Sequence, residues 1–201
     1  MDGSTLRIVA DDYGYADPYD AGILAAARAG AIDAVSAMVL RDPDPAPLLE
    51  SGVEIGLHLE PLGLAPLDQQ WKRFEDVFAR APAHVDGHKH CHAAPGGPAL
   101  AVAKLARTRG IAVRSVSPRH RRLLRCQGVA TPDRLVGRLS EDEPALPSEI
   151  SAWLDGRPPE GLTEWMVHPG YAGGGSSFDR GREQDLELLL ELYADAPWRD
   201  A

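Results

Sequence analysis

Short apolar runs recur along this chain, and most of them end on a residue that can ionise or bind a metal. They cover residues 6–10, 34–40, 53–59, 84–88, 111–116 and 163–167. Brief apolar runs bounded by turn formers read as buried strands. Helical stretches separate them. Pro18 opens one that carries Ala21, Ile23, Leu24 and Ala27 and stops at Gly30. A Pro-rich turn leads to a short helix near Leu48. Residues 71–78 read as helical, 98–109 as a helix stopped by Gly110, 132–153 as two short helices, and Leu186 to Leu192 sit on a last one. This alternation predicts a parallel α/β architecture, as a barrel or an open sheet. No repeat, linker or low-complexity tract divides the chain. Its 201 residues suit one sizeable core, so residues 1–201 are expected to form a single domain.

In such folds chemistry gathers where strands end. Asp11 and Asp12 end the first run, His58 the third, His88 the fourth and His168 the last. Four strand ends are therefore expected to converge on one mouth. Adjacent carboxylates repel, which a divalent cation relieves by taking one as ligand and leaving the other as base; helix capping by one of them is the alternative. His58 alternates with Ile55, Leu57 and Leu59, so it faces away from them. His88, His90 and His92 recur at every second residue, and on an extended segment they share a face. Cys91, between them, should point into the core.

One carboxylate and two imidazoles leave coordination positions open, as in zinc hydrolases and non-haem iron oxygenases. A metal lowers the pKa of its water to about 7, and a neighbouring carboxylate can take the proton. His168, before Pro169-Gly170, is a candidate acid for the leaving group. The Gly173–Gly174–Gly175–Ser176–Ser177 stretch lacks the lysine of a phosphate loop and reads as a mobile cover over the site. No Gly-x-Ser-x-Gly elbow is present, which removes the usual serine-hydrolase reading.

Composition excludes other classes. With 44% apolar and 25% charged residues, the chain is neither disordered nor membrane-embedded. A net charge of −9 repels phosphate backbones. The one basic cluster, 114–125, lacks interleaved aromatics and reads as a solvated helix face. There is no cationic leader before an apolar stretch and no run near the roughly 20 residues of a membrane span. Cys91 and Cys126 make no disulfide framework. A cytoplasmic protein with neither nucleic-acid nor membrane partners is expected.

Four ordered motifs carry a resemblance: Ala10-Asp11-Asp12-Tyr13-Gly14, Gly56-Leu57-His58-Leu59, Asp86-Gly87-His88-Lys89-His90-Cys91-His92 and Glu164-Trp165-Met166-Val167-His168-Pro169-Gly170. Over nearly its whole length the chain resembles the YdjC-like carbohydrate deacetylases. The resemblance implies a distorted, incomplete TIM-like (β/α) barrel and hydrolysis of N-acetyl groups on a small sugar or oligosaccharide. It implies one divalent ion, zinc or magnesium, on Asp12, His58 and His88, with Asp11 as base and His168 as acid or oxyanion partner. His90 and His92 fall in or near the pocket, and Glu164 and Arg114 support it. Tyr13 stands where the family more often has Phe, adding a hydroxyl to the pocket. The stretch between His58 and His88 is shorter than in typical members, which reduces any segment covering the substrate. The chain ends soon after its last helix, where members continue into a final strand. That leaves an edge that a second copy could cover, as a homodimer. The alternatives are a non-catalytic metal- or sugar-binding protein of the same fold and, on the same ligands, a non-haem iron enzyme.

Overall fold

Seven strands pair in parallel: β1 (Ser4–Tyr13), β2 (Ala34–Ala37), β3 (Glu54–Leu59), β4 (His84–Gly87), β5 (Ala112–Val113), β6 (Arg134–Val136) and β7 (Gly161–Val167). The computed structural model describes residues 3–194. The spatial order is β5-β4-β3-β2-β1-β7-β6, the order of a barrel split between β5 and β6. Seven α-helices surround the strands: α1 (Asp17–Arg28), α2 (Ala46–Ser51), α3 (Leu67–Phe78), α4 (Gly97–Arg109), α5 (Pro118–Cys126), α6 (Ser148–Leu154) and α7 (Asp179–Ala194). The expected incomplete TIM-like barrel is the observed fold.

β7 is flanked by β1 and β6, so the sheet edges are the short strands β5 and β6. The segment leading into β6 packs against β5 and the residues after it: Val113 N donates to Ala130 O at 2.9 Å and Ser115 Oγ to Pro132 O at 3.1 Å. The expected edge beyond the last helix falls on residues outside those described.

Strand alternation sorts residues into two layers. Ile8, Ala10, Val35, Ile55, Leu57, Val85, Trp165 and Val167 belong to one apolar cluster with Ile23 of α1, Phe74 and Phe78 of α3, Val102 of α4 and Leu186 and Leu189 of α7. Fully burying a side chain of that size stabilises by roughly 1.5–3 kcal/mol. The hydrophobic core thus lies between sheet and helices. Buried residues outside it include a polar set, Ser36, His58, His84, Asp86, Arg114 and Glu164, beside apolar ones such as Val9 and Met166. A core on one face of the sheet leaves the other free to hold charge.

Several element boundaries differ from expectation; the run 34–40, for one, is a strand only over Ala34–Ala37, before a 3₁₀ turn at Val39–Arg41. The run 111–116 pairs only at Ala112 and Val113 before turning toward α5. Between 132 and 153 there is a strand and one helix rather than two helices. Arg134, Leu135 and Val136 are too few to show a period, and their pairing with Thr163, Glu164 and Trp165 makes them a strand. Among the described residues no helix is long and apolar enough to cross a membrane.

Candidate metal and catalytic site

On a regular strand Asp11 and Asp12 would point to opposite faces. β1 escapes this: its register against β2 shifts between Ala10 and Tyr13, and Asp12 adopts φ 74°. Such a bulge re-aims side chains, at a cost on the order of 1–3 kcal/mol for a non-glycine residue at positive φ. Both aspartates consequently line one pocket.

Asp12, His58 and His88 offer ligand atoms that all lie within 4.8 Å of one another and could hold a metal ion. Asp12 Oδ1 is 3.2 Å from His58 Nε2 and 2.9 Å from His88 Nδ1. Protonation states test whether a cation suits them. Asp86 accepts from His58 Nδ1 at 2.7 Å, from Ser36 Oγ at 2.8 Å and from Arg114 Nη2 at 2.8 Å. Burial alone would raise the Asp86 carboxyl, but Arg114 and His58 hold it well below the ordinary range. An ionised Asp86 only accepts, so His58 Nδ1 carries the hydrogen and the Nε2 lone pair faces the Asp12 carboxylate. Two facing acceptors need a proton or a cation between them. Burial alone would lower His58, yet Asp86, Asp11 and Asp12 push it up to about 10. Asp12 is held well below the usual carboxylate range, because hydrogen bonds from His58 and His88 outweigh its burial. The donor set fits a divalent ion.

Arg114 anchors the rest. Its guanidinium is fully buried and meets three carboxylates: Asp11 through Nη1 at 2.6 Å and Nη2 at 2.8 Å, Asp86 and Glu164. Burial would lower the arginine's pKa, but the carboxylates of Asp11, Asp86 and Glu164 raise it. Arg182 of α7 binds the second oxygen of Asp12.

Above these groups opens a cavity of about 350 Å³, lined among others by Asp11, Tyr15, His88, His90, His168 and Arg182. His168 follows β7 and is held by its backbone N–H on Asp185 at 2.9 Å. Burial lowers its imidazole pKa, and Asp12 and Asp11 offset that only in part, so the ring is neutral at pH 7. Tyr15 lies under the Arg41 guanidinium, 4.5 Å from the ring centre.

Several sequence expectations change here. Residues 88–92 are a 3₁₀ turn with Lys89 and His90 at φ 49° and 58°, not an extended segment. His88 and His90 reach the pocket, whereas His92 is buried behind them on Arg114 O at 3.0 Å. Tyr13 adds no hydroxyl to the pocket: it is buried in the core and donates to Asp44 O at 2.7 Å. Arg114 is no part of a solvated helix face; Arg119, Arg121, Arg122 and Arg125 do lie on α5. The glycine-rich stretch is tied down rather than loose. Ser176 N donates to Tyr19 Oη at 2.8 Å, Gly173 N to Asp179 at 3.1 Å, and a Cβ at Gly174 would lie 2.2 Å from the Tyr19 ring. Cys91 packs against the core as expected, with Sγ on Leu59 O at 3.1 Å.

Sequence reasoning missed Asp86, Ser36, His84 and Arg182. Asp86 stands two residues before His88, and its place beside His84 on one strand face was the available signal. Arg182 had none, because only the packing of α7 carries it to the pocket.

Comparison with known proteins follows the same direction. The chitooligosaccharide deacetylase of Enterobacter sp. (strain 638) is 30% identical, covering 54% of this chain and 58% of that protein. The mouse carbohydrate deacetylase is 29% identical, over 45% of this chain and 44% of its own. The chain thus spans about half the length of the curated relatives it matches. A solved structure from Enterococcus faecalis V583, named for cellobiose-phosphate cleavage, superposes with a TM-score of 0.74 over 98% of both chains at 21% identity, and shares the fold. The profile of the YdjC-like proteins matches residues 65–193, and the chain belongs to that family.

Proposed function

We propose that this chain is a metal-dependent hydrolase that removes the N-acetyl group from a small N-acetylated sugar or oligosaccharide. One observation carries the reading: Asp12 Oδ1, His58 Nε2 and His88 Nδ1 converge at the floor of a sugar-sized pocket, with Asp11 and His168 beside them. The names of the bacterial and mouse relatives supply the substrate class.

In this reading Asp12, His58 and His88 hold the ion. Two imidazoles and one carboxylate suit zinc better than magnesium, which prefers oxygen ligands. A bound divalent ion supplies Lewis acidity and a lowered water pKa. Asp11 takes the proton released as water adds to the acetamide carbon. Arg114 keeps both Asp11 oxygens oriented. His168 presents a ring N–H to the carbonyl oxygen or to the departing nitrogen. The C–N bond breaks as the proton taken by Asp11 passes to the departing nitrogen, directly or through His168, and acetate and the free amine leave with the elements of one water. Tyr15 and Phe178 supply apolar wall for the sugar ring.

The test is acetate release from N-acetylated mono- and disaccharides by metal-stripped protein with zinc, magnesium, manganese or cobalt restored. Metal-dependent acetate supports the reading. Binding of the sugars with no acetate under any ion would replace it with a non-catalytic binding protein.

A further inference from the structure

Beneath the pocket a row of polar side chains crosses three strands. Ser36 of β2 stands opposite Gly56 of β3, and His84 of β4 lies on the far side. Strands two apart are separated by roughly 10 Å. Even so, Ser36 Oγ and His84 Nε2 are 2.9 Å apart. Gly56 makes this contact possible: a Cβ there would sit 2.3 Å from both Cε1 and Nε2 of His84. The imidazole therefore lies over the strand where a side chain would otherwise stand.

Hydrogens in this row have one consistent arrangement. Arg7 Nη2 can only donate, so His84 Nδ1, 3.2 Å away, accepts. His84 Nε2 then carries the hydrogen and donates to Ser36 Oγ. The Ser36 hydroxyl is left to donate to Asp86 Oδ2 at 2.8 Å, and Asp86 Oδ1 accepts from His58 Nδ1 at 2.7 Å. All of Ser36, His84 and Asp86 are buried, and neither Ser36 nor His84 lines the pocket. The Asp86 carboxylate that accepts from His58 Nδ1 is thus held on its other oxygen by Ser36, backed by His84, together with Arg114.

We propose that Ser36 and His84 are positioning residues for His58, acting through Asp86, and that Gly56 is glycine to admit the His84 ring. The inference rests on the reading of His58 as a metal ligand. Partners that orient a metal-bound imidazole are worth about 10- to 100-fold in metal affinity. Removing the Ser36 hydroxyl leaves the His84 N–H without an acceptor and leaves Asp86 Oδ2 to Arg114 alone, which loosens the carboxylate's aim at His58. Gly56→Ala deletes no polar group, yet it displaces the ring.

The experiment is zinc titration of the full chain against a competing chelator for wild type, Ser36→Ala, His84→Phe and Gly56→Ala. Long-range ¹H–¹⁵N spectra of the His58 ring accompany it, with circular dichroism to establish folding. The expected result is zinc affinity reduced about 10- to 100-fold in each folded variant, with the His58 Nδ1–H signal of the zinc-bound protein shifted in Ser36→Ala. A merely structural role would lower Tm without moving either readout. Folded Ser36→Ala with wild-type zinc affinity and an unchanged His58 Nδ1–H signal overturns the proposal. Should the other two variants fail to fold, Ser36→Ala, the smallest deletion, still decides it. If wild type itself binds no zinc, the reading of the site fails first, and this inference falls with it.

Discussion

Arg182 of α7 donates to Oδ2 of Asp12 on β1 across 170 positions of sequence. The contact leaves Oδ1 of Asp12 facing His58 and His88. The guanidinium itself rests on the Tyr19 ring, 3.9 Å from its centre, and Tyr19 in turn ties the glycine-rich loop. One helix thereby aligns the carboxylate, the loop and the pocket wall.

Arg182→Gln should free Asp12 Oδ2 and weaken zinc binding by about 10-fold or more, the usual effect of losing a partner that orients a ligand. Isothermal titration of metal-free variant and wild type checks this. Equal affinities would remove Arg182 from the site.

Asp11→Asn should reduce turnover at least about 100-fold, as expected for loss of a general base, while leaving bound metal unchanged. Acetate release and metal content are measured on the same sample. Retained turnover excludes Asp11 as base.

Metal uptake should release a proton. His58 is pushed up to about 10 without a cation, so at pH 7.5 it is protonated, and a metal on Nε2 must displace that proton. Calorimetry in buffers of different ionisation enthalpy should show close to one proton released per ion. His58→Ala should lose the ion itself.

Arg114→Met should unfold the chain or lower its Tm sharply. Its guanidinium faces Asp11, Asp86 and Glu164, and breaking a buried pair from one side costs about 3–5 kcal/mol. At about 2–4 °C per kcal/mol for a chain this long, the melting temperature should fall by roughly 6–20 °C. A near wild-type melt would contradict the cage of charges.

Asp20 provides a pH test apart from the metal ligands. Burial, with Asp17 and Asp12 adding to it against the Gly14 N–H, raises its pKa to about 6. An acid raised in the folded state binds more protons there than when unfolded, so this group destabilises above pH 6 and the loss is recovered as pH falls toward its ordinary value. Asp20→Asn, which keeps an acceptor for the Gly14 N–H, should melt higher than wild type at pH 8 and alike at pH 3.5. A difference that persists at pH 3.5 would have another cause.

Much of this site was legible from the strand ends. Asp11, Asp12, His58, His88 and His168 stand out because a short apolar run that closes on an ionisable residue is costly unless that residue is used. The alternation around His58 also foretold its facing away from Ile55 and Leu57. Local pattern failed where three residues make a strand, at 134–136, and where two positive-φ residues bend 88–92 out of extension. It failed too for Arg114, whose neighbours on α5 are solvated while it is buried.

What the sequence by itself determined is the parallel α/β alternation and the residues at the carboxyl ends of its strands, since both follow from local periodicity. Tertiary structure alone decided that β7 lies between β1 and β6. It also decided that the far face of the sheet is filled by Ser36, His84, Asp86, Arg114 and Glu164, and that Arg182 completes the pocket. Those contacts join residues distant in the chain, and the desolvation of each charge is balanced only by partners that folding brings within hydrogen-bond reach.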